Sequence, residues 1–489
     1  MSGKKLNKRT LTLIIGFAVI VLLGGALAAL LLTGGDESAA SSSPASSLLP
    51  GLITKKLDDV KNVEVTNTSG SYTLVKSGDD YTLSSFTAPG TTEVKTVPTT
   101  AKFKSATIKS FINDLVGITP ASVVADAEKN LSLYGLDKPA AKFKLNFTDG
   151  TSFSFDVGNK APDNSNYYVY DPQGKQVCLI SQTTLSYVDF SKEDYTENTL
   201  VPQFEQDKIP AITGFTFGGT VRAEPIVIAQ KPKDNTSSGS ALVDSGFKIV
   251  SPKQKLMSTT PLDNISKVLW GTAASSTYAV APTPEQLTET GLDTPYSTMQ
   301  LTYDGGQVEL KLGKKTDAGY YCQTSLNDAI FVVAPENVPW AEYQLFDLYD
   351  KFAMISNIND VSAVTIEVGG KAYRFEVGHG EENKILAKYE GKDMDEEVFK
   401  PLYQLMISAI GENPVTEQPT SATVMKFTYE YTDKSRSINT VEFKPVSDRQ
   451  IAMVVNGGEA DFLIRSKYID KVKTSIDQVL KGEKISTTW

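Results

Sequence analysis

The chain has 489 residues, of which 40% are hydrophobic and 22% are charged, a balance typical of folded globular protein rather than of a disordered chain. This length exceeds what one hydrophobic core usually organises and suggests about three domains. The formal net charge is -10 at pH 7, so the composition does not imply the basic surface with which proteins bind nucleic acid.

The first predicted element is a membrane-spanning helix from Leu11 to Leu32. The segment carries no charged side chain, and at about 1.5 Å of rise per residue it is long enough to cross a hydrocarbon core of about 30 Å. Basic residues precede it, namely Lys4, Lys5, Lys8 and Arg9. The first charged residues after it, Asp36 and Glu37, are acidic. The positive-inside rule therefore places the N-terminus in the cytoplasm and the chain after residue 33 outside it.

A cleaved signal peptide is the competing interpretation of this segment. The apolar region of a signal peptide runs for about 7–15 residues and ends at a small-residue cleavage site. Ala26–Ala28 resembles such a site, but the apolar run continues to Leu32, and no cysteine follows that could accept a lipid. We therefore predict an uncleaved anchor in residues 1–33, followed in residues 34–56 by a flexible linker rich in Ser, Ala and Pro.

Beyond this linker the sequence repeats itself, which is the signature of an array of similar units. Residues 135–160 align with residues 291–315 after one deletion, and similar strand-like segments follow both. A weaker third copy at 424–476 lacks the Gly-Leu-Asp-x-Pro segment that opens the other two. We predict three repeat units, called units 1, 2 and 3, at 57–203, 204–355 and 356–489, of which the third is divergent.

Each unit is predicted to combine antiparallel strands with a short packing helix. Val-, Thr- and aromatic-rich runs broken by Gly and Asp indicate hairpins at the start of each unit. Apolar residues then follow the spacing of one buried helix face. They are Ile108, Phe111, Ile112, Leu115 and Val116 in unit 1, Leu262, Ile265, Val268 and Leu269 in unit 2, and Val398, Leu402, Leu405 and Met406 in unit 3. Pro401 is expected to interrupt the third helix early.

The second half of each unit is predicted to be a four-strand meander closed by a polar helix. A turn motif precedes the meander in two units, as Gly135, Leu136, Asp137 and Pro139 and as Gly291, Leu292, Asp293 and Pro295. The glycine is expected to end a short helix in the left-handed conformation, the leucine to pack, the aspartate to bond its own backbone and the proline to start a strand. The predicted role of these residues is structural. The predicted fold class is α+β, with an N-terminal transmembrane helix followed by three repeated units of antiparallel strands with short packing helices.

The order of elements after each turn motif carries a family resemblance. An Asp-Gly turn, a strand ending in Gly and a Tyr-Tyr strand follow, as Asp149, Gly150, Gly158 and Tyr167–Tyr168 and as Asp304, Gly305, Gly313 and Tyr320–Tyr321. With the N-terminal membrane helix, this pattern resembles the family of domain of unknown function 4340. Members of that family are often encoded beside ABC-type export or gliding-motility-type transport components. The resemblance implies an accessory of such a system in the cell envelope, and it implies no catalytic residues.

The residue types that carry catalysis or bind metals form no predicted site. The single histidine, His379, lies among glycines and acids and is interpreted as a solvated loop residue. Cys178 and Cys322 are interpreted as small buried side chains, with a bridge between two units as the alternative. The acidic run at 393–397 lacks the spacing of a calcium loop and suits the first turn of a helix. We predict no catalytic, cofactor-binding or metal-binding residues.

Two functional hypotheses from different classes follow. The first is a non-enzymatic, membrane-anchored, extracytoplasmic accessory or scaffold protein that works with an ABC-type transport system. The second is a cell-envelope module that recognises wall glycan or peptide, for which the 21 Tyr and 21 Phe could supply an aromatic face. A hydrolase is a third and weaker hypothesis. The expected partners are the lipid bilayer, through Leu11 to Leu32, and an ABC-type permease complex, but not nucleic acid. The expected location is the cell membrane, crossed once, with most of the chain outside the cytoplasm.

Overall fold

Antiparallel strands make up most of the regular structure in residues 49–232 and 245–489, the part of the chain that the computed structural model describes. Within it, Gly51–Trp489 form one compact body. The predicted membrane helix and most of the predicted linker lie outside the described residues. Inside the described ranges, every helix is too short or too polar to span a bilayer.

Within the described ranges the strands form three sheets of nine strands each. The first sheet contains β1 (Val60–Asn67), β2 (Gly70–Ser77), β3 (Asp80–Thr87), β4 (Val94–Thr96), β5 (Ser122–Val124), β6 (Ala141–Phe147), β7 (Ser152–Lys160), β8 (Asn166–Asp171) and β9 (Gln176–Ser181). The second contains β10 (Ile212–Gly218), β11 (Ile226–Gln230), β12 (Phe247–Ser251), β13 (Lys255–Leu256), β14 (Ser276–Val280), β15 (Ser297–Tyr303), β16 (Gly306–Thr316), β17 (Gly319–Thr324) and β18 (Asn327–Val333). The third contains β19 (Val361–Val368), β20 (Lys371–His379), β21 (Ile385–Tyr389), β22 (Lys392–Met394), β23 (Asn413–Pro414), β24 (Met425–Tyr431), β25 (Asn439–Pro445), β26 (Gln450–Val455) and β27 (Ala460–Arg465).

The helices are short and lie between or after the strands. They are α1 (Ser105–Val116), α2 (Thr259–Ser266), α3 (Pro284–Thr290), α4 (Leu345–Leu348), α5 (Glu396–Ile407) and α6 (Lys467–Leu480). The 3-10 helices are Leu57–Asp59, Ala127–Lys129, Leu131–Tyr134, Gln206–Lys208, Pro335–Asn337, Pro339–Glu342, Ile358–Asp360 and Glu381–Asn383.

The three sheets share one strand order, which confirms the predicted repeat. In unit 1 the order is β4-β3-β2-β1-β6-β7-β8-β9-β5, and units 2 and 3 follow it strand for strand. The first strand of each unit pairs with the first strand of its meander, so the two halves form one continuous sheet. The short strand after the packing helix crosses over to pair with the last strand of the meander. The register of the first strand shifts near its start in all three units, at Val60/Asn62, Ile212/Gly214 and Val361/Ala363.

One face of each sheet is buried under the packing helix and the segment that follows the last strand. In α1 the five apolar residues predicted for the buried face are all buried. The closing segments differ, and the predicted closing helix is full length only in unit 3, as α6. In unit 1 a series of turns buries Leu185, Val188 and Tyr195 instead. The prediction of a closing helix in unit 1 was wrong, because large side chains at irregular spacing cover the core there.

The expectation that Pro401 interrupts the third packing helix was also wrong. Helix α5 runs from Glu396 to Ile407 with Pro401 inside it. The missing N–H of proline removes one hydrogen bond near the start of the helix. Burial of Phe399, Leu402 and Tyr403 on both sides of it outweighs that loss.

Two linkers between units, the first containing Thr196 and Thr199 and the second containing Tyr349 and Phe352, are each paired with both units that they join. Isolated bridges connect the first linker to unit 1 through Phe103 and Thr196 and to unit 2 through Thr199 and Ala273. The second linker repeats the arrangement through Met257 and Tyr349, and through Phe352 and Ile410. The hydrophobic core is continuous across units 2 and 3. The linkers therefore hold neighbouring units in the same arrangement at both junctions.

The described chain enters unit 1 in the way that the linkers enter units 2 and 3. Leu52 N donates to Ile118 O at 3.0 Å, as Leu200 N donates to Thr272 O at 2.7 Å and Ala353 N donates to Ala409 O at 2.9 Å. Ile53 is only 9% exposed. Residues 51–53, which the sequence analysis placed in the linker 34–56, are thus packed on unit 1.

Candidate functional site

The two Gly-Leu-Asp-x-Pro turns have the same backbone geometry. Gly135 ends the 3-10 helix Leu131–Tyr134 with φ 71° and ψ 18°. Gly291 ends α3 with φ 73° and ψ 22°. Both are in the left-handed region that the sequence analysis expected, and both lie at a helix end, where glycine carries no Cβ penalty.

The leucine of each turn fills a second, smaller core on the opposite face of the sheet. Leu136 packs with Ala127 and Val177. Leu292 packs with Ala279 and Ile330 in the same place in unit 2. Because side chains alternate along a strand, the residues that follow Val177 and Ile330 point into the main cores. Each turn therefore covers an apolar patch that the packing helix cannot reach.

A second glycine of the repeat explains why the turn can lie so close to the sheet. A Cβ on Gly158 would overlap the carbonyl oxygen of Tyr134, and a Cβ on Gly313 would overlap that of Thr290. Each would also approach the Cγ of the turn leucine, at 2.9 Å in unit 1 and 3.2 Å in unit 2. The two glycines of the motif, distant in sequence, therefore form one packing contact.

The aspartate and proline of the turn make local contacts. Asp293 accepts a hydrogen bond from Thr288 Oγ1 at 3.0 Å and one from the backbone N–H of Thr294 at 2.9 Å. Asp137 is exposed. Pro139 and Pro295 each precede a meander strand by two residues. The contacts of the motif therefore lie within its own unit.

Units 1 and 2 share a lysine placed over a tyrosine ring beside the turn. Lys160 Nζ lies 5.5 Å from the ring centroid of Tyr167, and Lys315 Nζ lies 5.2 Å from that of Tyr320. Such a cation–π contact stabilises a partly exposed pair by about 0.5–1 kcal/mol. It belongs to the common framework of the two units.

In unit 2 a cleft of about 480 Å³ lies beside this pair. It is lined by Thr220, Gly291, Thr294, Tyr296, Gly313, Lys314, Lys315, Tyr320 and Glu342. Tyr296 follows the turn proline, where unit 1 has Ala140. The rings of Tyr296 and Tyr320 are nearly parallel, at 12°, with centroids 6.2 Å apart. Because ligand sites are concave and combine aromatic or apolar walls with a few polar groups, this cleft is the candidate site.

Glu342 contacts two other side chains of the cleft. Tyr320 Oη donates to Glu342 Oε1 at 2.8 Å, and Lys315 Nζ lies 3.9 Å from the same oxygen. Burial raises the pKa of Tyr320, and the hydrogen bond to Glu342 and its negative charge raise it further. The phenol therefore stays protonated at neutral pH. The site offers an aromatic surface beside a hydroxyl, a carboxylate and an ammonium group.

A buried arginine holds the wall that carries Glu342. Arg222 donates through Nε to Tyr343 O and through Nη2 to Trp340 O, both at 2.7 Å. Its Nη1 donates to Ser297 Oγ at 2.8 Å, next to Tyr296. Burial lowers the pKa of Arg222 to about 10, so the guanidinium is still charged at neutral pH. Arg222 thus joins the two sides of the cleft.

In unit 1 an asparagine connects the sheet to the segment that follows the last strand, as the arginine does in unit 2. Asn67 Nδ2 donates to Val188 O at 3.0 Å and to Phe190 O at 2.8 Å, which ties the closing segment of unit 1 to its sheet. Sequence reasoning missed Arg222 and Glu342 because neither lies in the repeated pattern. The available signal was the difference between Ala140 and Tyr296 at aligned positions.

The other residues considered from sequence have structural places. His379 ends β20, is exposed, and has its Nε2 3.1 Å from Val361 O. Cys178 and Cys322 are free and buried, and burial raises the pKa of Cys178 to about 11. Asp395 caps α5 by accepting from Glu397 N at 2.9 Å, as expected for an acid before a helix. In residues 49–232 and 245–489, no three His, Cys, Asp or Glu side chains lie close enough together to hold a metal ion.

Comparisons with known proteins identify a family. The sequence model of the family described as "Domain of unknown function (DUF4340)" matches residues 94–295 and again residues 261–423, so the two overlapping matches cover more than half of the chain. No curated protein and no solved structure matches.

Proposed function

The chain belongs to the DUF4340 family, and from that premise we propose that it is a non-enzymatic, membrane-anchored accessory or scaffold protein that works with an ABC-type transport system. In this proposal Leu11 to Leu32 cross the membrane once. The basic residues before this segment stay in the cytoplasm, and the three units lie outside it.

The observation that carries the scaffold proposal is the pairing of each linker with both of its units. A flexible tether between units would let them move independently. Here the two linkers make equivalent backbone hydrogen bonds on both sides, and Asn327 adds a side-chain tie between units 1 and 2. A short, fixed array next to a membrane raises the effective concentration of its surfaces for membrane partners. That is the property expected of a scaffold.

Membrane association is the first part of the test. Full-length protein should remain in the membrane fraction after a carbonate wash, and residues after 33 should be accessible to protease only from outside the cell. A mature N-terminus near Ala29 would refute the anchor.

The transporter is the second part of the test. Full-length protein solubilised from membranes should co-purify with ABC-type permease subunits, and a chain that starts at Gly51 should recover them far less well. Because Gly51–Trp489 form one compact body, the shorter chain is a folded control. Recovery of wall glycan alone, with no transporter subunit from either chain, would favour the second hypothesis.

The second candidate function is a cell-envelope module for wall glycan or peptide, and the cleft in unit 2 favours it. Replacing Tyr296 by Ala gives unit 2 the residue that unit 1 already carries, so the fold should tolerate the change. Titration calorimetry with wall glycan fragments and with wall peptides should show binding that is lost in Tyr296→Ala. Tyr278→Ala is the matched control, because Tyr278 is 36% exposed on the same unit but outside the cleft. Equal affinity in wild type and both variants would exclude the cleft as the site.

A further inference from the structure

In units 1 and 2 the segment just before the packing helix is paired with the linker that leaves the unit. The backbone hydrogen bonds are Lys104 N to Tyr195 O (2.7 Å) and Glu197 N to Lys102 O (2.9 Å) in unit 1, and Ser258 N to Leu348 O (2.8 Å) and Asp350 N to Leu256 O (2.9 Å) in unit 2. The leaving linker therefore forms one antiparallel bridge with this segment, at Phe103 and Thr196 in unit 1 and at Met257 and Tyr349 in unit 2.

Each of these linkers is also anchored by one large apolar side chain. Tyr195 and Leu348, which accept the equivalent hydrogen bonds, are fully buried in the cores of their units. The linker thus combines backbone pairing with one buried side chain. These are the two components with which an extended peptide binds to the edge of a sheet.

In unit 3 the corresponding segment lacks this pairing. Met394 precedes α5 by two residues, as Phe103 precedes α1 and Met257 precedes α2. Met394 pairs with Ala387 on the inner side of β22. The four isolated bridges recorded within the described ranges all belong to the two linkers, and none involves Met394.

The chain that follows α6 takes another path. Lys484 forms an ion pair with Glu397, and Trp489 Nε1 donates to Ser408 Oγ at 3.2 Å. The ring of Trp489 lies against Tyr468, with centroids 4.8 Å apart. These contacts draw the segment away from β22 and along α5.

A cavity of about 240 Å³ lies beside Met394. Its apolar lining comes from Tyr389, Met394, Val398, Val479 and Leu480. Leu480 is 38% exposed at this site. An exposed strand edge next to an apolar cavity is the arrangement that accepts an added strand with one anchoring side chain.

The charge of the segment before the helix is reversed in unit 3. Residues 99–104 and 253–258 each contain two lysines and no acid, whereas residues 390–395 contain Glu390, Asp393 and Asp395 against Lys392. The first linker, which pairs with the basic segment of unit 1, carries Glu193, Asp194 and Glu197. A segment that pairs with unit 3 should therefore be basic rather than acidic.

We propose that β22 and the adjacent cavity of unit 3 bind an extended, basic polypeptide segment of a partner protein in the position that the linkers occupy in units 1 and 2. One large apolar side chain of the partner enters the cavity, and its backbone pairs with residues 393–395. The inference specifies where the proposed scaffold holds a protein partner, but it depends on neither the membrane anchor nor a transporter.

The test uses full-length protein in detergent and two labelled peptides. One copies residues 192–201 of this chain, and the other carries Glu193→Lys, Asp194→Lys and Glu197→Lys in the same peptide. Since each of the three substitutions replaces a like-charged contact by an oppositely charged one, we expect the lysine peptide to bind about tenfold more tightly in fluorescence anisotropy. Its binding should slow hydrogen exchange at residues 393–395. Equal affinity of the two peptides, or no binding of either, would overturn the proposal.

Two protein variants separate the cavity from general charge effects. Leu480→Lys places a charge at the cavity and should lower the affinity for the lysine peptide by at least about tenfold. Ile438→Lys adds the same charge at a side chain that is 58% exposed in unit 3 but does not line the cavity, and it should change the affinity less than about twofold. An equal loss in both variants would show that the peptide binds by charge alone and would reject the site.

Discussion

Replacement of Gly313 by Ala tests the explanation of the turn motif most directly. The φ angle of Gly313 lies outside the left-handed region, so alanine adopts this backbone without strain. The added Cβ, however, overlaps Thr290 O and stands 3.2 Å from Leu292 Cγ. The turn must therefore lift away from β16. This isolates a steric effect from the usual conformational preference of glycine.

The expected cost follows from two contributions. Overpacking against a fixed neighbour costs about 1–3 kcal/mol. Lifting the turn also exposes part of Leu292, whose complete burial is worth about 1.5–3 kcal/mol. Alanine also reduces the conformational freedom of the unfolded chain, which offsets the loss by about 0.4–1 kcal/mol. We expect a net loss of about 2–4 kcal/mol in the free energy of unfolding of unit 2.

Urea denaturation followed by circular dichroism measures this loss, and hydrogen exchange at the Leu292 amide, which donates to Leu287 O at 2.8 Å, localises it. Gly378→Ala is the matched control, because it lies in a strand and its added Cβ meets Leu386 O at an ordinary 3.4 Å. That variant should be neutral or slightly stabilising. If Gly313→Ala is as stable as Gly378→Ala, the close approach of turn and strand does not constrain the sequence.

Three further predictions concern the turns and the junctions between units. Gly135→Val and Gly291→Val should each lower the free energy of unfolding by more than about 1 kcal/mol in urea titrations, since a β-branched residue tolerates positive φ poorly. Unchanged urea midpoints would show that neither glycine is needed for its backbone conformation. Asn327→Ala should lower the free energy of unfolding by about 1–3 kcal/mol and speed exchange of the Lys102 amide, because this N–H and the Glu197 carbonyl lose the buried side chain that pairs with them. An unchanged exchange rate would contradict this. Burial raises the pKa of Asp461, but hydrogen bonds from two lysines of unit 2 outweigh it and hold the pKa below its usual 3.8. Such a carboxylate stabilises the junction of units 2 and 3 above pH about 4 and loses this contribution as the pH falls through its folded pKa. Asp461→Asn should abolish that acid sensitivity in exchange measurements at the junction.

Local patterns in the sequence were sufficient for the repeat and for much of the turn. The spacing of Ile108, Phe111 and Leu115 predicted one buried helix face, because a helix brings every third or fourth residue to the same side. The left-handed conformation at Gly135 and Gly291 followed from residue type and from position at a helix end. These are properties of short stretches of chain, and neighbouring residues decide them.

The tertiary structure decided which strands lie beside each other. Pairing of β1 with β6 depends on residues about 80 positions apart, and no local pattern specifies it. The same holds for the contact of Gly313 with Thr290 and for the place of Arg222 between the walls of the cleft. Each depends on close approach of distant segments, which burial and hydrogen bonding of the whole unit determine. The sequence alone therefore established the repeated unit and its turns, while packing between distant segments decided the continuous sheets, the paired linkers, the cleft of unit 2 and the cavity of unit 3.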